Sequence, residues 1–122
     1  MPTVRNAKGA DLYASSDDER TIHPIQVKTH AGKPQDTSLG INPERLVTPW
    51  WIIVVYASTP DIACYIFTLD EIRHRMQRDP GTRSGKPESE RGYWLPRRHY
   101  TPGNAGEDKD FRDAWSRLGI PR

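Results

Sequence analysis

Two short runs of alternating apolar and polar residues, Gly9 to Ser15 and Thr21 to Thr29, flank the polar segment Ser16-Asp17-Asp18-Glu19-Arg20. β-Formers on both sides of a charged, solvated turn predict a β-hairpin. A four-residue loop, Asp17 to Arg20, sets Ser16 opposite Thr21, Leu12 opposite Ile25 and Asp11 opposite Gln26. Because strand side chains alternate, Lys28 then shares one face with Gln26 and Asp11, while Ala10, Leu12, Ala14, Ile25 and Val27 fill the other. A slip of one residue would place Asp11 among the apolar groups, so the pattern itself selects the register. Pro24 cannot donate to a ladder and predicts an edge position or a bulge beside it.

Downstream, Trp50 to Ala57 is an unbroken apolar run of strand length, the pattern of a central strand buried on both faces. Pro60 marks a turn, and Ala63 to Thr68 reads as a second strand paired with the first as a hairpin beside the N-terminal one. Thr68 with Glu71 forms a capping-box signature for a helix running to Asp79, with Leu69, Ile72 and Met76 toward the sheet and Arg73, Arg75 and Arg78 mainly elsewhere. Tyr93 to Leu95 predicts a short strand stopped by Pro96. A last helix starts at Glu107 or Asp108, with Phe111, Trp115 and Leu118 on one face and Gly119 and Pro121 ending it. Thr3 to Arg5 suggests a short opening strand, Ala31 to Pro49 an irregular loop close to Lys28, and Asp79 to Gly92 a surface loop. The sum is an α+β fold: one domain over residues 1–122, with a mixed sheet of about four to five strands flanked by two helices.

Composition narrows this picture. An apolar fraction of 34% against 28% charged residues, with eleven prolines, describes a loop-rich domain with a small core. A net charge of +2 does not by itself demand a polyanionic partner, but the distribution is uneven. From Arg73 to His99 eight Lys and Arg residues face Asp79, Glu88 and Glu90, interleaved with Tyr93 and Trp94 and followed by Tyr100. That mixture suits a phosphate-backbone surface with stacking groups, and equally a solvated basic loop. Cys64 has no second cysteine to pair with, and its apolar neighbours favour a buried structural thiol and a reducing, cytoplasmic setting. The apolar run WWIIVVYA is too short to cross a bilayer, and the first residues carry no secretory signal pattern. The four histidines lack the spacing of a zinc site.

A carboxylate at a strand start, GAD, followed on the partner strand by acid or amide, any residue, then lysine, here QVK, resembles the active site of the PD-(D/E)XK nuclease superfamily. The wording RNAKGADLYA…IQVKT is similar to its Mrr-type and resolvase-like members, among which glutamine at the acid position is a known variant. The resemblance implies a restriction-endonuclease-like core, hydrolysis of phosphodiester bonds in DNA, and a Mg2+ or Mn2+ cofactor. Asp11, Gln26 and Lys28 become the catalytic set. Asp11, the Gln26 amide and the Val27 carbonyl become the metal ligands, since hard cations prefer oxygen. Lys28 would orient the attacking water and offset charge on the transition state.

Lys33, Arg73, Arg97 and Arg98 are the expected nucleic-acid contacts, with His30 a further candidate on the loop after Lys28. Family members usually carry a glutamate-bearing helix before the first strand, and only ten residues precede Asp11. Glu44 is a candidate substitute for that glutamate, and a homodimer or a distant segment a candidate cover for the sheet face left open. A non-catalytic module of the same fold, and a small basic nucleic-acid-binding protein, stand as alternatives.

Overall fold

A computed structural model describes residues 12–15, 22–103 and 108–119, with backbone alone for 12–15. Asp11, the opening strand expected at Thr3 to Arg5 and the charged turn lie outside the described residues.

The N-terminal hairpin forms from β1 (Leu12–Ser15) and β2 (Ile22–Thr29), antiparallel, with Leu12 opposite Ile25 and Ala14 opposite His23. This is the register that alternation selects. Strand β2 continues on its other side into a parallel ladder with β4 (Trp50–Val55), beginning at Ile25 opposite Trp50. Pro24 precedes that ladder, so its missing N–H costs no bond to β4. Strand β5 (Ala63–Thr68) returns antiparallel to β4, giving the mixed order β1-β2-β4-β5. The connection from β2 to β4 holds a short strand, β3 (Thr37–Gly40), and a 3-10 turn, Pro43–Arg45, where a helix is the usual crossover. β3 pairs with β7 (Tyr93–Leu95), and β7 with the two-residue β6 (Gln77–Arg78), in a separate three-stranded sheet. The strands thus divide between two sheets, of four and three strands, rather than lying in one of four to five.

Side chains of β4 alternate between two cores. Trp51, Ile53 and Val55 join Leu39, Leu46, Tyr65, Phe67, Ile72, Leu95 and Tyr100 on the face toward the second sheet and the helix. Ile52 joins Ile25, Ile66 and Leu118 on the opposite face, with Val27, Trp50, Cys64 and Trp115 packed against them. Burying one such isoleucine contributes about 2 kcal/mol, so the two-sided burial of β4 is the main packing term of the fold.

The helix α1 (Leu69–Arg75) starts as its sequence dictates: Thr68 Oγ1 accepts from Glu71 N, and Glu71 Oε1 accepts from Thr68 N at 2.8 Å. It ends four residues sooner than periodicity predicts, because Met76 turns to extended backbone and Gln77–Arg78 pair with β7. Ile72 is fully buried, with Leu69 and Met76 against the same core.

The expected second helix is absent: Lys109–Phe111 and Trp115–Leu118 are separate 3-10 turns. Between them Asp113 adopts φ 51°, its N–H donates to Cys64 O, and Arg112 bridges to Tyr65 on β5. The segment wraps around the β5 edge, sending Phe111 to one core and Trp115 and Leu118 to the other. Helical spacing was therefore a coincidence of two packing sites. Leu118 packs on Ile25, Ile52 and Ile66 from within the chain, so a distant segment covers this face of the sheet.

Candidate functional site

Gln26 and Lys28 are alternate residues of β2, an interior strand, and both remain only half buried. Their ladder partners on β4, Trp51 and Ile53, are core residues. On that face, core gives way to a cavity of about 340 Å³ lined by Gln26, Lys28, Ser38, Arg45, Thr48 and Trp51 with neighbouring aliphatic groups. Both cations of this lining, Lys28 and Arg45, make no hydrogen bond or ion pair among the described residues, and the described lining holds no Asp or Glu. The long connection after Lys28 therefore closes over the site, as its position in the sequence suggests.

That connection is fixed at several points. Asn42 Oδ1 accepts from Glu44 N at 3.0 Å, starting the 3-10 turn that carries Arg45. Leu46 is buried, its carbonyl accepts from Arg73 Nη2 at 2.7 Å, and Trp51 Nε1 donates to Thr48 O. Arg73, itself exposed, thus holds the protein's own loop through one of its guanidinium nitrogens. Glu44 is exposed and outside the cavity lining; Arg45 occupies the lining instead.

Further along the same face His30 turns inward, stacked on Tyr100 with ring centroids 5.7 Å apart and bonded to Thr37 Oγ1 at 2.9 Å. Burial lowers its pKa below the ordinary imidazole value, which suits a neutral packed ring. Tyr100, expected among the stacking groups, is fully buried. Its hydroxyl meets Thr37 Oγ1, Gln35 O and Leu95 O, and burial pushes its pKa up to about 12.

Lys33 and Arg97, distant in sequence, both line a hollow of about 270 Å³ that also includes Tyr56 and Thr101. Tyr56 holds φ 52° at the end of β4, an uncommon conformation for a large residue. Arg98 is exposed but does not line that hollow.

Three further basic residues of the 73–99 stretch, Arg75, Arg78 and Arg91, are occupied within the chain. Arg75 makes a bidentate pair with Asp108 at 2.9 and 3.0 Å and lies over Phe67 and Phe111. Arg78 reaches Glu88, and Arg91 donates to Lys86 O. Sequence reasoning also missed Arg45, the second cation of the main cavity. No local signal singles it out, because its placement depends on burial of Leu46 beside it.

Cys64 is half buried, and burial first, then the Asp113 charge, raises its thiol pKa, the opposite of an activated nucleophile. Among the described residues no three His, Cys, Asp or Glu side chains gather into a metal-binding group, and no helix is long and apolar enough to cross a membrane. No family model, no curated protein and no solved structure matches this chain.

Proposed function

We propose that this chain is a metal-dependent, restriction-endonuclease-like protein that hydrolyses phosphodiester bonds in DNA. The observation that carries this reading is the setting of Gln26 and Lys28. Two polar side chains on an interior strand open into one cavity, and Lys28 has no hydrogen-bond or ion-pair partner among the described residues. Lys28 is half buried at the cavity wall, and an anionic ligand there supplies the opposite charge in the bound state. The mixed sheet and the β1–β2 register, with Leu12 opposite Ile25, support assigning Asp11, the residue just before β1, as the carboxylate of the set.

The donor chemistry fits a hard divalent cation such as Mg2+ or Mn2+, with Asp11, the Gln26 amide oxygen and the Val27 carbonyl as its protein ligands. When bound, such a cation polarises the phosphoryl oxygen and makes its water a stronger nucleophile. Gln26 adds no charge, so the cation's affinity depends on Asp11 and on substrate phosphate. Lys28 aligns the attacking water and stabilises negative charge growing on the phosphoryl oxygens as the phosphorus–oxygen bond to the leaving group breaks. Lys33 and Arg97 hold the strand at a second point.

A binding module without catalysis is the second reading, favoured by the Lys33–Tyr56–Arg97 hollow, which offers cations and an aromatic ring apart from Gln26 and Lys28. Asp11→Ala separates the two. Loss of metal-dependent cleavage with DNA binding retained supports the nuclease; binding by wild type with no cleavage under any divalent metal supports the module.

A further inference from the structure

Arg45 stands between two hollows. On one side is the polar cavity of Gln26 and Lys28; on the other is an apolar one of about 440 Å³, lined by Leu39, Gly40, Ile41, Asn42 and Arg45. Four large hydrophobic residues are markedly exposed among the described residues, and two of them sit here: Ile41, 59% exposed, in the apolar hollow, and Val47, 50% exposed, at the polar cavity. The segment that presents them is anchored by the buried Leu46, by Arg73 on its carbonyl and by Trp51 on the Thr48 carbonyl. Their exposure is thus imposed by a fixed loop.

We infer that Arg45 is a substrate-binding residue that forms, with Lys28, a two-cation clamp on one phosphate, and that the apolar hollow beyond it takes the attached nucleoside. This rests on the proposed nucleic-acid function and names the substrate contact on the far wall of the same site. Two cations without side-chain partners among the described residues, lining a cavity free of described carboxylates, suit a dianionic or shared monoanionic oxygen cluster. A guanidinium adds planar, two-point hydrogen bonding that an ammonium cannot. The adjoining apolar wall is suited to a flat base or sugar face and not to an inorganic ion. The ligand class is therefore a nucleotide within a chain, and inorganic phosphate alone occupies half of the site.

The test is fluorescence-anisotropy binding of a labelled single-stranded and a duplex oligonucleotide, in Ca2+ to limit turnover, over a series of salt concentrations. Wild type is compared with Arg45→Ala, Arg45→Lys, Ile41→Ser and Glu44→Ala. Arg45→Ala is expected to weaken binding about tenfold and to lower the salt slope by about one, with Arg45→Lys restoring the slope but not the full affinity. Ile41→Ser should weaken binding a few-fold with the slope unchanged, and Glu44→Ala should leave binding as it is or tighten it. Circular dichroism checks that each variant is folded. If wild type binds and cleaves while folded Arg45→Ala matches it in affinity and slope, the clamp is refuted and the nuclease reading stands. If folded wild type binds neither oligonucleotide, both fail.

Discussion

Two regions of this domain are rich in arginine or lysine, and they use the charge in opposite ways. Around the C-terminal segment, Asp108 accepts both arms of Arg75 and lies 2.6 Å from His99 Nδ1, while Glu71 pairs with Arg117 at 2.7 Å. Arg75 and Arg117 both lie over the Phe111 ring, at 5.2 and 4.5 Å. Arg75 and Arg117 are both satisfied there, and together they fasten residues 108–118 around the β5 edge. At the Gln26–Lys28 cavity the two cations have no carboxylate and no hydrogen bond among the described residues. The density of basic residues is thus a poor guide to where an anion binds. The useful quantity is positive charge left uncompensated inside a cavity.

The comparison breaks first, and by the largest amount, at Asp108, only 12% exposed. Asp108→Ala leaves Arg75 without its partner and is expected to lower stability by about 3 kcal/mol, read from the urea midpoint, with oligonucleotide affinity of the folded protein unchanged. Loss of binding with stability intact would show that the two regions are not separate.

Acid provides a gentler form of the same test. Burial alone would raise the Asp108 carboxyl, but hydrogen bonds from Arg75 and His99 and their charge outweigh it and hold its pKa below the ordinary value. Burial likewise pushes the Glu71 carboxyl up, and the Arg117 and Thr68 hydrogen bonds outweigh it and hold its pKa below the ordinary value. Both carboxyls therefore release protons more readily folded than unfolded, and the stability they add is complete above the ordinary carboxylate range of about 4. It disappears as pH falls through their lower folded values. Wild type should lose urea resistance in that window, and Asp108→Asn should lose less over the same range.

Thr68→Ala removes the helix cap and loosens the support of Glu71 toward Arg117. A loss of about 1 kcal/mol is expected in urea unfolding. The smallest effect belongs to the other region. Lys28→Met removes a half-buried cation with no described partner, so stability should stay within about 0.5 kcal/mol of wild type or rise. A large destabilisation would mean that Lys28 supports the fold, and would remove the basis for assigning it to a ligand.

The sequence made the sheet legible wherever local rules decide. The charged turn and alternation set the Leu12–Ile25 register, the continuous run from Trp50 marked a two-faced central strand, and Thr68 with Glu71 announced the helix start. Features set by distant partners were hidden. Thr37–Gly40 is a strand because Tyr93–Leu95 lies beside it, and the helix yields at Met76 because Gln77 and Arg78 pair with that same strand. Phe111, Trp115 and Leu118 imitate a helix face, yet they serve cores on opposite sides of β5. At the site, the pairing of Gln26 with Lys28 was readable from alternation, and closure of the long loop over it from its place in the chain. Which arginines stay uncompensated was not, since that depends on Asp108, Glu88 and the Leu46 carbonyl finding Arg75, Arg78 and Arg73 in three dimensions.

The most direct test of the central claim is a Mg2+ and Mn2+ titration of the purified chain with supercoiled and single-stranded DNA, following cleavage of wild type and Lys28→Ala in parallel. The account predicts cleavage that requires the metal and falls at least a hundredfold on loss of Lys28, in line with removal of a charge-stabilising group from an active site. Absence of cleavage by folded wild type, or cleavage indifferent to Lys28, would contradict it.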